Sequence, residues 1–184
     1  MSALLLCLMP GASAVSSPTP HVQLELPPVP CQSAPAGQNG TGIFASLHDI
    51  GSSSSQLRCR AGHLTFALRT GNDARASAQA QGARCEQVPV TDDTLVMSQL
   101  WVCSPYDGLL SARGGTTYGL TFLTPTPLDD VRSNRNLINH EARHAVQWLR
   151  YGATMPLAYA RGGSDPCANP FEIDAGLLDG GYQC

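Results

Sequence analysis

The pattern of apolar and polar positions between residues 42 and 125 is mostly that of β-strands. Residues 64–68 alternate between apolar and small or polar side chains, while residues 95–97 and 100–103 are compact apolar runs. Residues 116–123 are rich in β-branched and aromatic side chains, which favour a pleated surface. The pattern therefore predicts a small sheet in this part of the chain.

Short glycine-rich and polar segments separate these runs. They lie at residues 51–55, 71–73 and 114–115, and glycine with small polar residues is typical of turns. Residues 76–82 fit either a short helix or a surface loop. We expect turns at the first three places and leave the fourth open.

The strongest helical pattern covers residues 131–151. Its apolar residues recur at intervals of three and four, which places one stripe toward a core: Ile138, Ala142, Ala145 and Leu149. Ser133 is suited to cap the beginning of this helix and Gly152 to end it. Asp129 and Asp130 precede it, where acidic residues interact favourably with the positive end of a helix.

A second, shorter helix is predicted over residues 170–179. Asn169 can cap it, Pro170 suits its first turn, and the pair Gly180 and Gly181 would end it. Together with the strands upstream, the two helices indicate an α+β fold.

The beginning of the chain has the features of a processed export signal. Residues 3–9 are apolar, Pro10 interrupts them, and residues 12–14 form a small-x-small cleavage site, so residues 1–14 are interpreted as a signal peptide. No Lys or Arg precedes the apolar run; either the true start lies upstream or the export interpretation fails. Residues 15–40 are Pro-rich and predict a linker, which leaves residues 41–184 as the functional domain.

Composition narrows the class of protein. The 184 residues suffice for one modest domain, charged residues make up 14% of them, and the formal net charge is −3. The chain has no polybasic run, so we expect no nucleic-acid partner and no membrane insertion after signal removal.

The cysteines support export. Removal of residues 1–14 takes Cys7 and leaves six, an even number that suits disulfides in an oxidising compartment. They lack the paired spacing of a structural zinc site. Among the 15 pairings that six cysteines allow, we expect Cys167 to pair with Cys184, because the two bracket the C-terminal segment.

The chemistry is carried by the segment His-Glu-Ala-Arg-His on the predicted long helix. His140 and His144 are four residues apart, so both imidazoles project from one face and can bind one zinc ion. Glu141 is displaced around the helix and can act as general base on a water that the metal activates. The competing interpretation is a solvated polar face without a metal.

Two histidines leave a zinc ion one protein ligand short. The other histidines, His21, His48 and His63, lie upstream, and the acidic residues downstream are Asp165, Glu172, Asp174 and Asp179. Glu172 is the strongest candidate, because it begins a helix and is the only Glu after the motif. The alternative for Glu172 is a capping role, since it stands three residues after the helix cap Asn169.

Other polar residues near the motif have less defined roles. Asp174 and Asp179 are candidates to accept a hydrogen bond from a ligand histidine, which would select its tautomer, or are surface groups. Tyr159 or Tyr182 could stabilise an oxyanion, but packing is the simpler role for each.

The motif and its surroundings resemble a known class of enzymes. His140-Glu141-x-x-His144 with a distant Glu resembles the gluzincin type of zinc metallopeptidase, and residues 110–148 are similar to small metallopeptidase domains associated with bacterial extracellular contractile injection systems. A Gly/Thr-rich strand precedes a His-Glu-x-x-His-x-x-Gln helix in that family, and residues 169–175 are similar to its later Glu-x-x-Ala segment. The similarity covers roughly the last 75 residues.

This resemblance implies zinc held by His140, His144 and Glu172, catalysis by Glu141, and a strand near residues 118–123 that aligns an extended substrate. Gly176 departs from the Asp that larger gluzincins have at that position. We therefore expect a secreted or periplasmic zinc metallopeptidase acting on proteins or peptides. The alternatives are an exported binding module without catalysis and an enzyme that hydrolyses a non-peptide amide.

Overall fold

A computed structural model describes residues 26–31, 43–111 and 114–184, with the side chains of residues 43–54 outside the description. The predicted signal peptide and most of the predicted linker lie outside the described residues. The elements are helix α1 (Ile43–Ala80), strands β1 (Arg84–Pro89), β2 (Gln99–Ser104), β3 (Thr116–Tyr118) and β4 (Thr121–Leu123), then helices α2 (Leu128–Ser133), α3 (Arg135–Tyr151), α4 (Met155–Arg161) and α5 (Pro170–Ala175).

The four strands form one sheet in the order β1-β2-β4-β3. Strands β1 and β2 are antiparallel, β2 and β4 are parallel, and β3 and β4 are antiparallel. The expected α+β class is confirmed. Strand β3 lies at one edge of the sheet, and this edge later forms a wall of the candidate site.

The two faces of the sheet are covered by different helices. Leu100, Val102 and Phe122 pack with Ile138 and other residues of α2 and α3 on one face. Cys103 and Leu123 pack with α1 on the other face. Because alternate residues of a strand point to opposite faces, β2 is buried on both sides.

The prediction of mostly β-structure is wrong for residues 43–75, since α1 occupies this stretch. Residues 76–80, left open between a helix and a loop, form the end of the same helix. Its buried face consists of small residues, Ala67, Ala74 and Ala78, spaced by seven and four positions, as a helix requires. Leu64 and Leu68, whose alternation suggested a strand, are exposed on the same helix. The large apolar residues gave a misleading period, because here the small ones form the packed face.

Some of the predicted turns and short strands are present in the structure, and others are not. Residues 51–55 and 71–73 lie inside α1 and are not turns. Residues 95–97, predicted as an apolar strand, lie in the irregular connection between β1 and β2. Residues 100–103 lie within β2, and residues 116–123 form the β3–β4 hairpin, so both of these strand predictions are confirmed.

The predicted helix over residues 131–151 is present as α3, preceded by the short helix α2. Its cap is Asn134, whose side chain accepts a hydrogen bond from the Leu137 N–H, and not Ser133. Gly152, at φ 54°, ends the helix as predicted. Helix α5 is capped by Asn169 as predicted but ends at Gly176, before the predicted Gly180 and Gly181, because the Gly176 N–H already closes the last turn.

Three disulfides join the six cysteines of the described residues: Cys31–Cys59, Cys85–Cys103 and Cys167–Cys184. The expectation of disulfides and the pairing of Cys167 with Cys184 are confirmed. The described part of the Pro-rich stretch, residues 26–31, lies against the core through Leu26 and Val29. Among the described residues no helix is both long and apolar enough to cross a membrane.

The Cys167–Cys184 disulfide encloses the segment that carries α5. Replacing both cysteines with Ser should lower the free energy of unfolding by about 3 kcal/mol, because a cross-link across 17 residues restricts the unfolded chain. Urea unfolding of the oxidised variant and wild type measures this difference. A loss below about 1 kcal/mol would show that the unfolded segment is already constrained without the cross-link.

Candidate metal centre

The buried polar face of α3 brings the motif into the interior. Its apolar stripe packs against the sheet through Ile138 and Ala145, which fixes the rotation of the helix. The adjacent face then presents His140, Glu141 and His144, all of which are buried. A solvated polar face, the competing interpretation of the motif, is therefore wrong.

Glu172 of α5 lies directly against the two histidines. The Nε2 atoms of His140 and His144 are 3.1 Å apart, and Oε2 of Glu172 is 3.3 Å from the first and 3.4 Å from the second. The structure thus brings together the three residues predicted as metal ligands. They come from two helices that are far apart in sequence but pack against each other.

The hydrogen bonds of the two imidazoles define which nitrogens face the cluster. Nδ1 of His140 lies 3.1 Å from the carbonyl of Ala175 and 3.0 Å from that of Gly176, and Nδ1 of His144 lies 2.8 Å from Oε1 of Gln147. Carbonyl and amide oxygens only accept, so both Nδ1 atoms carry the proton. In the neutral rings both Nε2 atoms therefore present lone pairs.

Two lone pairs and a carboxylate oxygen consequently face one another in a buried space. Oε2 of Glu172 is buried and has no hydrogen-bond partner. Three acceptors without a donor repel each other, and a cation among them removes this repulsion. These three residues could hold a metal ion.

The dimensions of the cluster suit zinc. Zinc holds nitrogen and oxygen ligands at about 2.0–2.2 Å, and a tetrahedron of this size has edges of about 3.3–3.6 Å. The three observed separations, 3.1, 3.3 and 3.4 Å, are close to these edges. Two imidazoles and one carboxylate also form a donor set that leaves a fourth position for a substrate or water, as catalytic zinc sites require.

The carboxylates and imidazoles of the cluster shift each other's pKa, and a cation competes with a proton for Nε2 of His144. Burial raises the pKa of Glu172, but the imidazoles of His140 and His144 outweigh burial and hold this pKa well below its usual range. Burial lowers the pKa of His144, but Glu172 and Glu141 outweigh it and the net direction is upward. An ionised Glu172 gives the site the negative charge that a divalent cation needs.

The alternative role of Glu172 as a helix cap is wrong. Asn169 caps α5 through its own side chain, which accepts from the Phe171 N–H. A capping Glu would accept from the Asn169 N–H, but that group donates to the carbonyl of Asp165 at 2.9 Å. The carboxylate of Glu172 instead contacts the two histidines, and its Oε1 accepts a hydrogen bond from the hydroxyl of Tyr159.

Glu141 lies beside the cluster and lines the same cleft. Its Oε2 accepts a hydrogen bond of 2.7 Å from the hydroxyl of Thr117 in edge strand β3. This contact orients the carboxylate, and Oε1 remains as its second acceptor. Glu141 therefore lines the cleft but is not one of the three residues that face one another in the cluster.

The structure does not bear out Asp174 or Asp179 as the acceptor of a hydrogen bond from a ligand histidine. Asp179 pairs with Arg143 at 2.6 Å, and Asp174 accepts from the side chain of Gln147 at 2.8 Å. Neither contacts a histidine, because backbone carbonyls and Gln147 take those positions. Arg143 supports the carbonyl of Ala175 through a hydrogen bond of 2.8 Å and so stabilises the acceptor of His140.

A cleft of about 540 Å³ opens over the cluster. One wall is the edge strand with the preceding Gly115, and the other is α4 with the turn that follows it. Half of the lining side chains are apolar or aromatic: Tyr118, Trp148, Met155, Pro156, Tyr159, Ala160 and Tyr182. Both tyrosines considered for the oxyanion thus line the cleft; the ring of Tyr182 also packs edge-on against His140, with centroids 5.9 Å apart.

The remaining histidines are elsewhere. His21 and the side chain of His48 lie outside the described residues. His63 donates to or accepts from nothing in the cluster: its Nδ1 lies 2.8 Å from the carbonyl of Arg150, beside the Cys31–Cys59 disulfide. The sulfurs of that disulfide are bonded to each other, so they are not thiolate ligands.

Close packing at the back of the cluster involves Gly180. A Cβ atom at this position would lie 2.6 Å from Cε1 of His140, so only glycine lets the turn approach the ring. Sequence analysis assigned no role at the site to Gly180, Thr117 or Gln147. Only Gln147 had a signal, since it stands three residues after His144 on the same helix face and matches the Gln of the His-Glu-x-x-His-x-x-Gln pattern.

No family model, no curated protein and no solved structure matches this chain. The similarity to gluzincins and to the injection-system domains therefore stays a prediction that rests on the motif.

Proposed function

We propose that the chain is an exported zinc-dependent peptidase. The observation that carries this proposal is the buried cluster of two imidazole lone pairs and one ionised carboxylate, with a separate carboxylate beside it at the floor of an open cleft. His140, His144 and Glu172 would hold the metal. Zinc, when bound, polarises a substrate carbonyl and lowers the pKa of water toward neutrality.

The role of Glu141 follows from its position. Its carboxylate takes a proton from the attacking water and passes that proton to the nitrogen of the leaving amine as the peptide bond breaks. Thr117 donates to Oε2, so Oε1 is the oxygen that exchanges the proton. The hydrogen bond also keeps the carboxylate from turning toward the metal ligands.

The edge strand supplies a surface for an extended substrate. The carbonyl of Thr117 accepts from Nε1 of Trp148 at 2.9 Å, which shows that this carbonyl points away from the paired strand β4. In an antiparallel pair the N–H and the carbonyl of one residue point the same way, so the Thr117 N–H also points outward from this edge. A peptide can add to such an edge as a further strand, with its backbone held by hydrogen bonds.

The composition of the cleft favours apolar side chains in the substrate. Trp148 and Met155 line it close to the metal cluster, and the ionisable carboxylates among its described lining residues are Glu141 and Glu172. We propose exported, unfolded or flexible proteins as the substrate class, and the three disulfides suit an oxidising compartment outside the cytoplasm.

The test is cleavage of a reduced, unstructured protein by the zinc-loaded chain. We expect about one zinc per chain, cleavage beside apolar residues, loss of cleavage after a chelator removes the metal, and recovery when zinc is restored. A panel should also contain folded proteins and a cell-wall peptide crosslink. Full zinc occupancy without hydrolysis of any of these would contradict the enzyme and favour a binding module.

A further inference from the structure

Gln147 is a fully buried polar residue that lies between α3, which carries His144, and α5, which carries Glu172. It follows His144 by three positions, so both side chains project from the same face of α3. Its exposed fraction is 0%. A polar side chain is stable at such a position only when its donors and acceptor are paired.

Every polar group of the Gln147 amide has a partner. Oε1 lies 2.8 Å from Nδ1 of His144, while Nε2 donates to the carbonyl of Phe171 at 2.9 Å and to Oδ2 of Asp174 at 2.8 Å. The partners determine the orientation of the amide, because the reverse orientation would place its oxygen against two other oxygens. Oε1 therefore accepts the Nδ1 proton of His144.

The two ends of the amide act on different ligands. The accepting end keeps the proton of His144 on Nδ1 and directs the Nε2 lone pair into the cluster. The donating end holds Phe171 and Asp174, which flank Glu172 on both sides in α5. One side chain therefore links the ligand on α3 with the ligand on α5.

We propose that Gln147 is a positioning residue that fixes His144 and Glu172 together as one zinc-binding unit. This inference rests on the proposed metal site. Only an amide meets the requirement, because it offers one acceptor and two donors in a single plane. A carboxylate would retain the contact with His144 but would lose both donors and repel Asp174.

The distinguishing variant is Gln147→Glu. If Gln147 acted on His144 alone, a carboxylate would serve as well, since carboxylates commonly accept from metal-ligating histidines. If it also holds α5, the variant should bind zinc about 10- to 100-fold more weakly. Gln147→Met, which removes both functions, should be at least as weak. The matched control Gln79→Glu, on an exposed position of α1, should leave zinc affinity unchanged.

Zinc affinity is measured by competition with a chromophoric chelator, and far-UV circular dichroism checks that each variant is folded. Asp174→Ala provides a second variant at an exposed position of α5, and it should weaken zinc binding less than Gln147→Glu does. With Co²⁺ in place of zinc, the visible spectrum should change for Gln147→Glu and stay the same for Gln79→Glu. A merely structural role of Gln147 would leave the Co²⁺ spectrum unchanged.

The outcomes separate the two proposals. If wild type binds no zinc, the metal site and this inference both fail. If wild type binds zinc and a folded Gln147→Glu binds it equally tightly, only the inference is overturned. Should Gln147→Glu not fold, unchanged zinc affinity in Asp174→Ala overturns it.

Discussion

Replacing Glu141 with Gln is expected to lower kcat/KM for peptide hydrolysis by about 10²- to 10⁴-fold, the contribution of a positioned general base. The amide has nearly the same shape and can still accept the hydrogen bond from Thr117, so the cleft should keep its structure. It cannot take up the proton that the attacking water must lose. The measurement is the initial rate of cleavage of an unstructured protein at equal zinc occupancy.

The control for this variant is a carboxylate of no proposed function. Asp129→Asn neutralises a carboxylate that is 94% exposed at the beginning of α2, and the activity of this variant should equal that of wild type. Glu141→Gln should also bind zinc as tightly as wild type, because Glu141 is not one of the three facing ligands. Undiminished hydrolysis by Glu141→Gln would assign the base to another group.

Helical periodicity is the reason that half of the candidate site could be predicted from the sequence. The positions of His140, Glu141 and His144 relative to one another follow from a local geometry that any α-helix shares. The apolar stripe of the same helix also indicated which side faces the interior, and Ile138, Ala142 and Ala145 are buried as expected.

The other half depends on how distant segments pack. Glu172 could be proposed as a ligand from its place in the chain, but its capping role was an equally local possibility. The packing of α5 on α3 decides between the two, and no periodicity in the sequence encodes that contact. Thr117 and Gly180 were missed for the same reason, since each matters only through a residue more than 20 positions away.

The error in α1 has a different physical origin. Period-two alternation of Leu64, Phe66 and Leu68 indicated a strand, but a window of five residues is too short to distinguish a strand from a helix. The buried positions Ala67, Ala74 and Ala78 carry little hydrophobic signal, although they allow close packing of the helix on the sheet and on α3. Small residues at helical spacing are therefore the observation that would have corrected the prediction.

Zinc should also stabilise the fold by a large amount. A cation that binds only the native chain adds about 4.1 kcal/mol to the free energy of unfolding when its free concentration is 1,000 times Kd. For a chain of 184 residues this corresponds to a rise in Tm of about 8–16 °C. The physical source is the removal of repulsion among three buried acceptors, which also joins α3 to α5.

Thermal unfolding followed by circular dichroism, with zinc and with a chelator, measures this shift. The increase should disappear in His140→Ala, which removes one ligand, and persist in Glu141→Gln, which removes none. This pair separates metal binding from catalysis, because a stabilised but inactive Glu141→Gln is expected only when the two carboxylates have different roles. An equal zinc-dependent shift in His140→Ala would place the cation at a different site in the chain. The cluster of α3 and α5 would then no longer be assigned as the metal site.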